Sequence, residues 1–262
     1  MASLVNNQDG DEDSTPVSCS YQRNQEDWPW VWALREGLDW REHCLDHGAS
    51  KTTVEQAQQE WQRKNPPVPF LHHLWIGSQS SCMNVDKLKQ LGITHLLNMA
   101  AGIHCPVDEY QQVGIQYLAL EAQDADGYPL LQKHLAPARA FFNLAKHEDN
   151  GICLVFCKAG LNRSGLIVAA LAMLETRWDV CKTVAQLRRQ RGDYALDNES
   201  FQEQLVALAR REHLLGPCPG TPGSIVSKRP PPPPPGEEQP ASRLYNMSAE
   251  QKALAAANRW AP

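Results

Sequence analysis

The sequence predicts an α/β domain over residues 67–215, carried between two polar extensions. Three observations predict it. Short apolar runs of strand length alternate with longer segments of helical period across that region. The composition turns acidic before it and proline-rich after it. A buried-strand pattern also runs straight into a short loop and then a buried-helix pattern, Gly151-Ile-Cys-Leu-Val-Phe156 followed by Arg163 to Glu175.

The chain's 262 residues suffice for one substantial core plus appendages. Its mean hydropathy of -0.48 is low for a chain folded throughout, so the polar excess is assigned to the ends. A net charge of -5 argues against a general nucleic-acid binder, which carries a basic field. The acidic start lacks an apolar stretch, and no run of apolar residues reaches membrane length, so neither a secretory signal nor a membrane span is expected. None of the eight cysteines forms a C-x-x-C pair. Free thiols in a reducing compartment, cytoplasm or nucleus, are the expectation.

Residues 1–27 read as a disordered acidic N-terminus. Residues 28–66 read as a tryptophan-rich helical extension that packs on the main domain: Trp28, Trp30, Trp32 and Trp40 come first, then a helix from Thr53 to Lys64, entered by a Thr53/Gln56 capping box. In the main domain His73–Gly77 is a short strand, and Asn84–Leu91 a helix ended by Gly92. Ile93–Met99 is a second strand. Gly114–Leu120 is a third, read as alternating with period two. The helix over 130–147 gathers Leu131, Leu135, Ala138, Phe142 and Ala145 on one face, and Pro137 marks a kink or a first turn. Gly151–Phe156 is apolar enough to be central. The helix Arg163–Glu175 is apolar all round and therefore buried. The helix over 180–191 puts Val180, Val184 and Leu187 on one face and Arg188, Arg189 and Arg191 elsewhere. A last helix carries Phe201, Leu205 and Leu208. Residues 216–262 form a proline-rich tail, with six consecutive prolines at 230–235 and a short terminal helix after Ser248. Arg229, Pro232 and Pro235 fit a docking motif for proline-binding domains, although any such run generates that match and a stiff solvated tail is the simpler reading.

The chemistry is read in the loop Cys157-Lys-Ala-Gly-Leu-Asn-Arg163-Ser164. A helix N-terminus presents unpaired N–H groups and a positive dipole end, so a loop curling into it can aim successive amides at one anion. The amides of Lys158, Ala159, Gly160, Leu161, Asn162 and Arg163 are the candidate substrate-binding set. Gly160 permits the curl, and Asn162 is placed where φ turns positive. The same field favours a Cys157 thiolate, a nucleophile. Arg163 offers a planar fork to two phosphate oxygens. Ser164 can donate its hydroxyl to the sulfur. A leaving oxygen needs a proton, and the loop after the third strand holds Asp124 and Asp126; Asp124 is the candidate acid, although either suits a turn. Lys158 is a second loop cation, either solvated or touching substrate. His43, Cys44 and His47 have helical spacing, but a lone cluster without further ligands reads as surface chemistry rather than a metal site.

With those segments in place, the chain resembles the dual-specificity branch of the protein tyrosine phosphatase superfamily over residues 68–212. Leu74–Ser78, Gly92–Asn98, Tyr117–Asp124, Cys157–Gly165, Leu187–Arg191 and Asn198–Leu205 carry the likeness in order. The resemblance implies a central mixed sheet with helices on both faces and no metal or other cofactor. It also implies a cysteinyl-phosphate mechanism with Cys157 as nucleophile, Arg163 as clamp and Asp124 as acid, acting on phosphotyrosine and phosphoserine or phosphothreonine proteins. Phosphoinositides are an alternative substrate class, because some lipid-directed relatives share Cys-Lys-Ala-Gly. Two positions depart from the family. Gly192 stands where many relatives have proline. Phe156 stands where relatives have the histidine that orders the loop, so the resemblance implies a less well prepared thiolate, and a weakly active phosphoprotein-binding module becomes the other reading.

Overall fold

The apolar run before the loop becomes the middle strand of a five-stranded mixed sheet. The computed structural model describes residues 24–36 and 66–226. The expected helix Thr53–Lys64, the proline run and the terminal helix lie outside the described residues. In chain order the elements are α1 (Trp28–Glu36), β1 (Val68–Leu71), β2 (Leu74–Ser78), α2 (Gln79–Cys82), α3 (Val85–Gln90), β3 (His95–Asn98), α4 (Val107–Gln112), β4 (Gln116–Ala119), α5 (Leu130–His147), β5 (Cys153–Cys157), α6 (Arg163–Thr176), α7 (Val180–Arg191) and α8 (Glu199–Arg211).

The strands lie in the order β1-β2-β5-β3-β4. β1 and β2 are antiparallel, whereas β2, β5, β3 and β4 run parallel. All five residues of β5 are buried, as a strand covered on both faces requires. Alternate residues feed two separate apolar clusters. Leu74, Ile76, Leu97, Cys153 and Val155 join one with α5, α6, α7 and α8. Leu96, Leu154 and Phe156 join the other with Cys82, Leu88 and Tyr110 from α2, α3 and α4. The sheet thus has helices on both faces. The parallel strands β4 and β5 end toward the segments that hold Asp124 and Cys157, the usual crevice side of such sheets.

Three local expectations change. β4 does not alternate: its outer residues are exposed and its two inner ones half-buried, as suits an edge strand flanked by α4. Pro137 sits well inside α5, not in its first turn. Arg188 and Arg191 of α7 are buried rather than turned away from the core. At α1, Val31, Ala33 and Leu34 are buried in the main cluster. Arg35 pairs with Glu203 of α8 at 2.8 Å, and Arg210 of α8 pairs with Asp27. The described part of the N-terminal extension is therefore packed on the domain.

Candidate active site

Cys157 is the last residue of β5 and Arg163 the first of α6, so the two are brought together by a strand-to-helix junction. The curl between them comes from Gly160, whose φ of +73° lies in the left-handed region. A Cβ there would run into the Gly77 carbonyl and the Arg191 guanidinium. Asn162, expected to take a positive φ, instead has φ -88° as the N-cap residue of α6; the single left-handed turn at Gly160 suffices. Asn162 has another task. Its Oδ1 accepts from the backbone N–H groups of Asp197 and Asn198 at 2.9 and 3.2 Å.

The loop is held by its carbonyls. The Lys158 carbonyl accepts from Gln79 N–H at 3.3 Å, and the Leu161 carbonyl from Leu196 N–H at 3.2 Å. The Gly160 carbonyl accepts from Arg191 Nε at 3.0 Å. In a planar trans peptide the N–H points opposite to the carbonyl. Anchoring those three carbonyls to the scaffold therefore turns the amides of Ala159, Leu161 and Asn162 away from it. The Gly160 N–H points at the Cys157 sulfur, 3.2 Å away, and the Ser164 hydroxyl lies 3.3 Å from the same sulfur. The sulfur sits almost out of solvent with two hydrogen-bonding groups on it. Lys158 is exposed at the loop rim.

Arg163 and Asp124 meet across the mouth. Arg163 donates from Nη1 to the Ala122 carbonyl at 3.3 Å, and its Nε is 3.7 Å from Asp124 Oδ2. The other carboxylate oxygen, Oδ1, accepts from Asn198 Nδ2 at 3.3 Å. The strand-end loop predicted to carry an acid thus reaches the start of α6, where the Cys157–Arg163 loop ends.

Arg191 is the cation that the sequence reading missed. It is 1% exposed and links the loop to the backbone ahead of β1, with Nη1 on the Pro66 carbonyl at 2.9 Å. Burial lowers its guanidinium to about 10, and the charges of Cys157 and Cys82 oppose that shift. Burial also pushes the Cys82 thiol well up, with Cys105 and Cys157 adding to it and Arg191 opposing. The signal was present: Val180, Val184, Leu187 and Arg191 form one helical stripe (i, i+4, i+7, i+11), and only the charge argued against burial. Phe156 is fully buried in the cluster with Cys82, Leu88 and Tyr110, so it fills an apolar slot and gives the loop no hydrogen bond. Among the described residues no group of three or more His, Cys, Asp or Glu is placed to hold a metal.

A family model described as the dual specificity phosphatase catalytic domain matches residues 74–211. In sequence the chain is similar to dual specificity protein phosphatase 26 of Bos taurus, 34% identical over 139 residues, covering 53% of this chain and 64% of that protein. The Homo sapiens protein of the same name is 33% identical with the same coverage. The match thus spans a little under two thirds of these relatives' length. In structure the chain is similar to human DUSP28, with a TM-score of 0.51 and 26% identity, covering 56% of this chain and 95% of that one.

Proposed function

Because the chain belongs to the dual specificity phosphatase catalytic-domain family, we propose that it is a protein phosphatase acting on phosphotyrosine and on phosphoserine or phosphothreonine through a cysteinyl-phosphate intermediate. The observation that carries the reading is the meeting of three groups. Cys157 sulfur accepts from the Gly160 N–H and lies 3.3 Å from the Ser164 hydroxyl, Arg163 heads the adjoining helix, and Asp124 lies against Arg163.

In the first step the Cys157 thiolate attacks phosphorus. The S–P bond forms as the P–O bond breaks, and Asp124 gives its proton to the departing oxygen. Arg163 and the amides of Ala159, Leu161 and Asn162 hold the non-bridging oxygens, whose charge needs fixed donors in both steps, while the Gly160 N–H stays on the sulfur. In the second step Asp124, now a carboxylate, takes a proton from water as that water attacks phosphorus. The S–P bond breaks, phosphate leaves, and the Ser164 hydroxyl donates to the returning thiolate.

A second reading, a phosphoprotein-binding module with poor turnover, is favoured by one observation only, the apolar Phe156 beneath the loop. The phosphoinositide alternative rests on Lys158, exposed at the rim. The segment Arg229 to Pro235 is a candidate ligand for proline-binding domains, testable by titrating such a domain with the full chain and with a Pro232→Ala, Pro235→Ala variant. One assay separates the main readings. The full chain is given an aryl phosphate, phosphotyrosine and phosphothreonine peptides, and a soluble inositol phosphate. Turnover of both peptide classes, abolished in Cys157→Ser, supports the proposal. Peptide binding without turnover supports the module, and turnover confined to inositol phosphates supports the lipid reading.

A further inference from the structure

Between α5 and α8 lies an open groove. Leu131, Leu135, Ala207 and Leu208 line it. Gln204 closes the end nearest Asp124: its Oε1 accepts from the Leu131 N–H at 3.1 Å, and its Nε2 donates to the Tyr128 carbonyl at 2.8 Å. The groove holds about 210 Å³. A cavity of about 150 Å³ takes a benzene molecule, so there is room for a large apolar side chain.

The rim is cationic. α5 carries no acidic residue. Its Lys133 and Arg139 are exposed, and Arg139 lies one helical turn beyond Leu135. Arg211 lines the far end with its side chain 69% exposed, and Glu212 is 3.4 Å away. The two acidic residues of α8, Glu199 and Glu203, both pair with Arg35 on the flank that meets α1, so they do not offset the charge of the groove.

One segment of the chain is placed and charged to lie there. Residues 1–23 stand immediately ahead of the described residues. They hold Asp9, Asp11, Glu12 and Asp13 against a single cation, Arg23, with Val17 and Tyr21 as apolar side chains. The residues they lead into are already seated beside the far end of the groove: Glu26 and Asp27 pair with Arg210, the neighbour of Arg211. From Gln204 to Arg211 the helix rises about 10 Å. A dozen extended residues span about 40 Å, so the acidic run reaches the whole groove. The tail after Val226 carries Lys228, Arg229, Arg243, Lys252 and Arg259 against Glu237, Glu238 and Glu250, and would meet a rim of its own sign.

We propose that the groove between α5 and α8 is the docking site of the chain's own acidic N-terminal segment, residues 1–23. An apolar side chain fills the groove, and the carboxylates meet Lys133, Arg139 and Arg211. Through Gln204 the seated segment braces the backbone from Tyr128 to Leu131, next to the loop that holds Asp124. The docking is independent of the phosphatase reading, because none of these contacts involves the Cys157–Arg163 loop.

The test is photo-crosslinking in the full chain. Gln132, an exposed residue of the groove wall, is replaced by p-benzoylphenylalanine. A second variant carries the same probe in place of Lys89, exposed on α3 across the sheet, and thermal unfolding shows that both are folded. After irradiation at a low and a high protein concentration, peptide mass spectrometry is expected to find the Gln132 probe joined to a peptide within residues 1–23, at a yield independent of concentration. The yield should fall at least about threefold in about 1 M salt, which screens surface charges within about 3 Å, and likewise when Asp9→Asn, Asp11→Asn, Glu12→Gln and Asp13→Asn are combined. The Lys89 probe should not reach the segment. Crosslinks from the Gln132 probe to residues 227–262 in place of 1–23, or to a second copy with a yield that rises with concentration, would overturn the proposal. So would a folded Gln132 variant that gives no crosslink to residues 1–23, or one that the Lys89 probe matches.

Discussion

Arg191 donates from Nε to the carbonyl oxygen of Gly160 at 3.0 Å, so the turn of the Cys157–Arg163 loop is anchored from inside the protein. A second arm of the same guanidinium reaches the Pro66 carbonyl. One planar fork spans two backbone segments, and a lysine ammonium, a single point charge, cannot reproduce that geometry. Losing a buried charged hydrogen bond costs about 1.5–3 kcal/mol. Arg191→Lys is therefore expected to lower kcat/KM on an aryl phosphate by roughly 10- to 100-fold, while circular dichroism shows the fold retained. Wild-type turnover in that variant would show that the loop holds its shape without the anchor.

The turn at Gly160 is the tightest point of the site. A side chain there meets both a left-handed φ and two occupied positions, the Gly77 carbonyl and Arg191. Gly160→Ala should abolish measurable phosphatase activity and lower Tm. Gly127, also at positive φ but with nothing within 4 Å of an added Cβ, is the control. Gly127→Ala should cost only the backbone strain, about 1–2 kcal/mol, and leave kcat nearly intact.

The packed segment α1 is expected to contribute to stability. Val31 and Leu34 are buried against the core, and Arg35 meets a nearly buried Glu203. Leu34→Ala is expected to destabilise by about 2–5 kcal/mol. Arg35→Ala should cost about 1–3 kcal/mol by leaving Glu203 without that partner. Urea unfolding measures both, and a change below about 0.5 kcal/mol in both variants would show that α1 is not part of the cooperative unit.

His95 is expected to make stability depend on pH. It is wholly buried at the start of β3, and burial holds its imidazole below the ordinary 6.5, with Glu148 at 3.8 Å opposing. Its Nδ1 meets the Thr94 hydroxyl, and Phe141 lies edge-on to the ring. An unfolded chain takes up the proton near 6.5, whereas the folded chain resists until lower pH. The contribution is therefore fully present above about 6.5 and is lost as pH falls below it. His134, also held low by burial and by Lys133, acts in the same direction. Tm measured from pH 8 to pH 5 should fall less steeply in His95→Gln than in wild type. Equal slopes would assign the acid sensitivity elsewhere.

Much of this was legible in the sequence, for definite reasons. β5 and α6 were readable because β5 and the stretch Gly165–Met173 of α6 are buried and carry no charged residue to interrupt the apolar run. Cys157, Arg163, Ser164 and Asp124 were singled out because the chemistry restricts residue type and the family likeness fixes order, and the structure places Ser164 beside Cys157 and Asp124 beside Arg163. Arg191 was not, although its spacing placed it on the stripe of Val184 and Leu187, because a charge in the core is understandable only once its partners are known. Those partners are carbonyls of Gly160 and Pro66, distant in sequence. Asn198 was recognised only as part of a family segment; its contact to Asp124 spans 74 positions and leaves no local pattern. β1 was missed because Pro69 suits an edge strand but breaks the strand signal.

The central claim is that Cys157 carries the phosphoryl group during turnover. The most direct measurement mixes the enzyme with a phosphorus-labelled aryl phosphate, quenches within milliseconds, and maps the label by peptide mass spectrometry. The expected result is phosphate on the peptide containing Cys157, no label in Cys157→Ser, and a longer-lived adduct in Asp124→Ala, in which the second step lacks its base. Aryl phosphate turnover that persists in Cys157→Ser, with no label on Cys157 in wild type, would contradict the account.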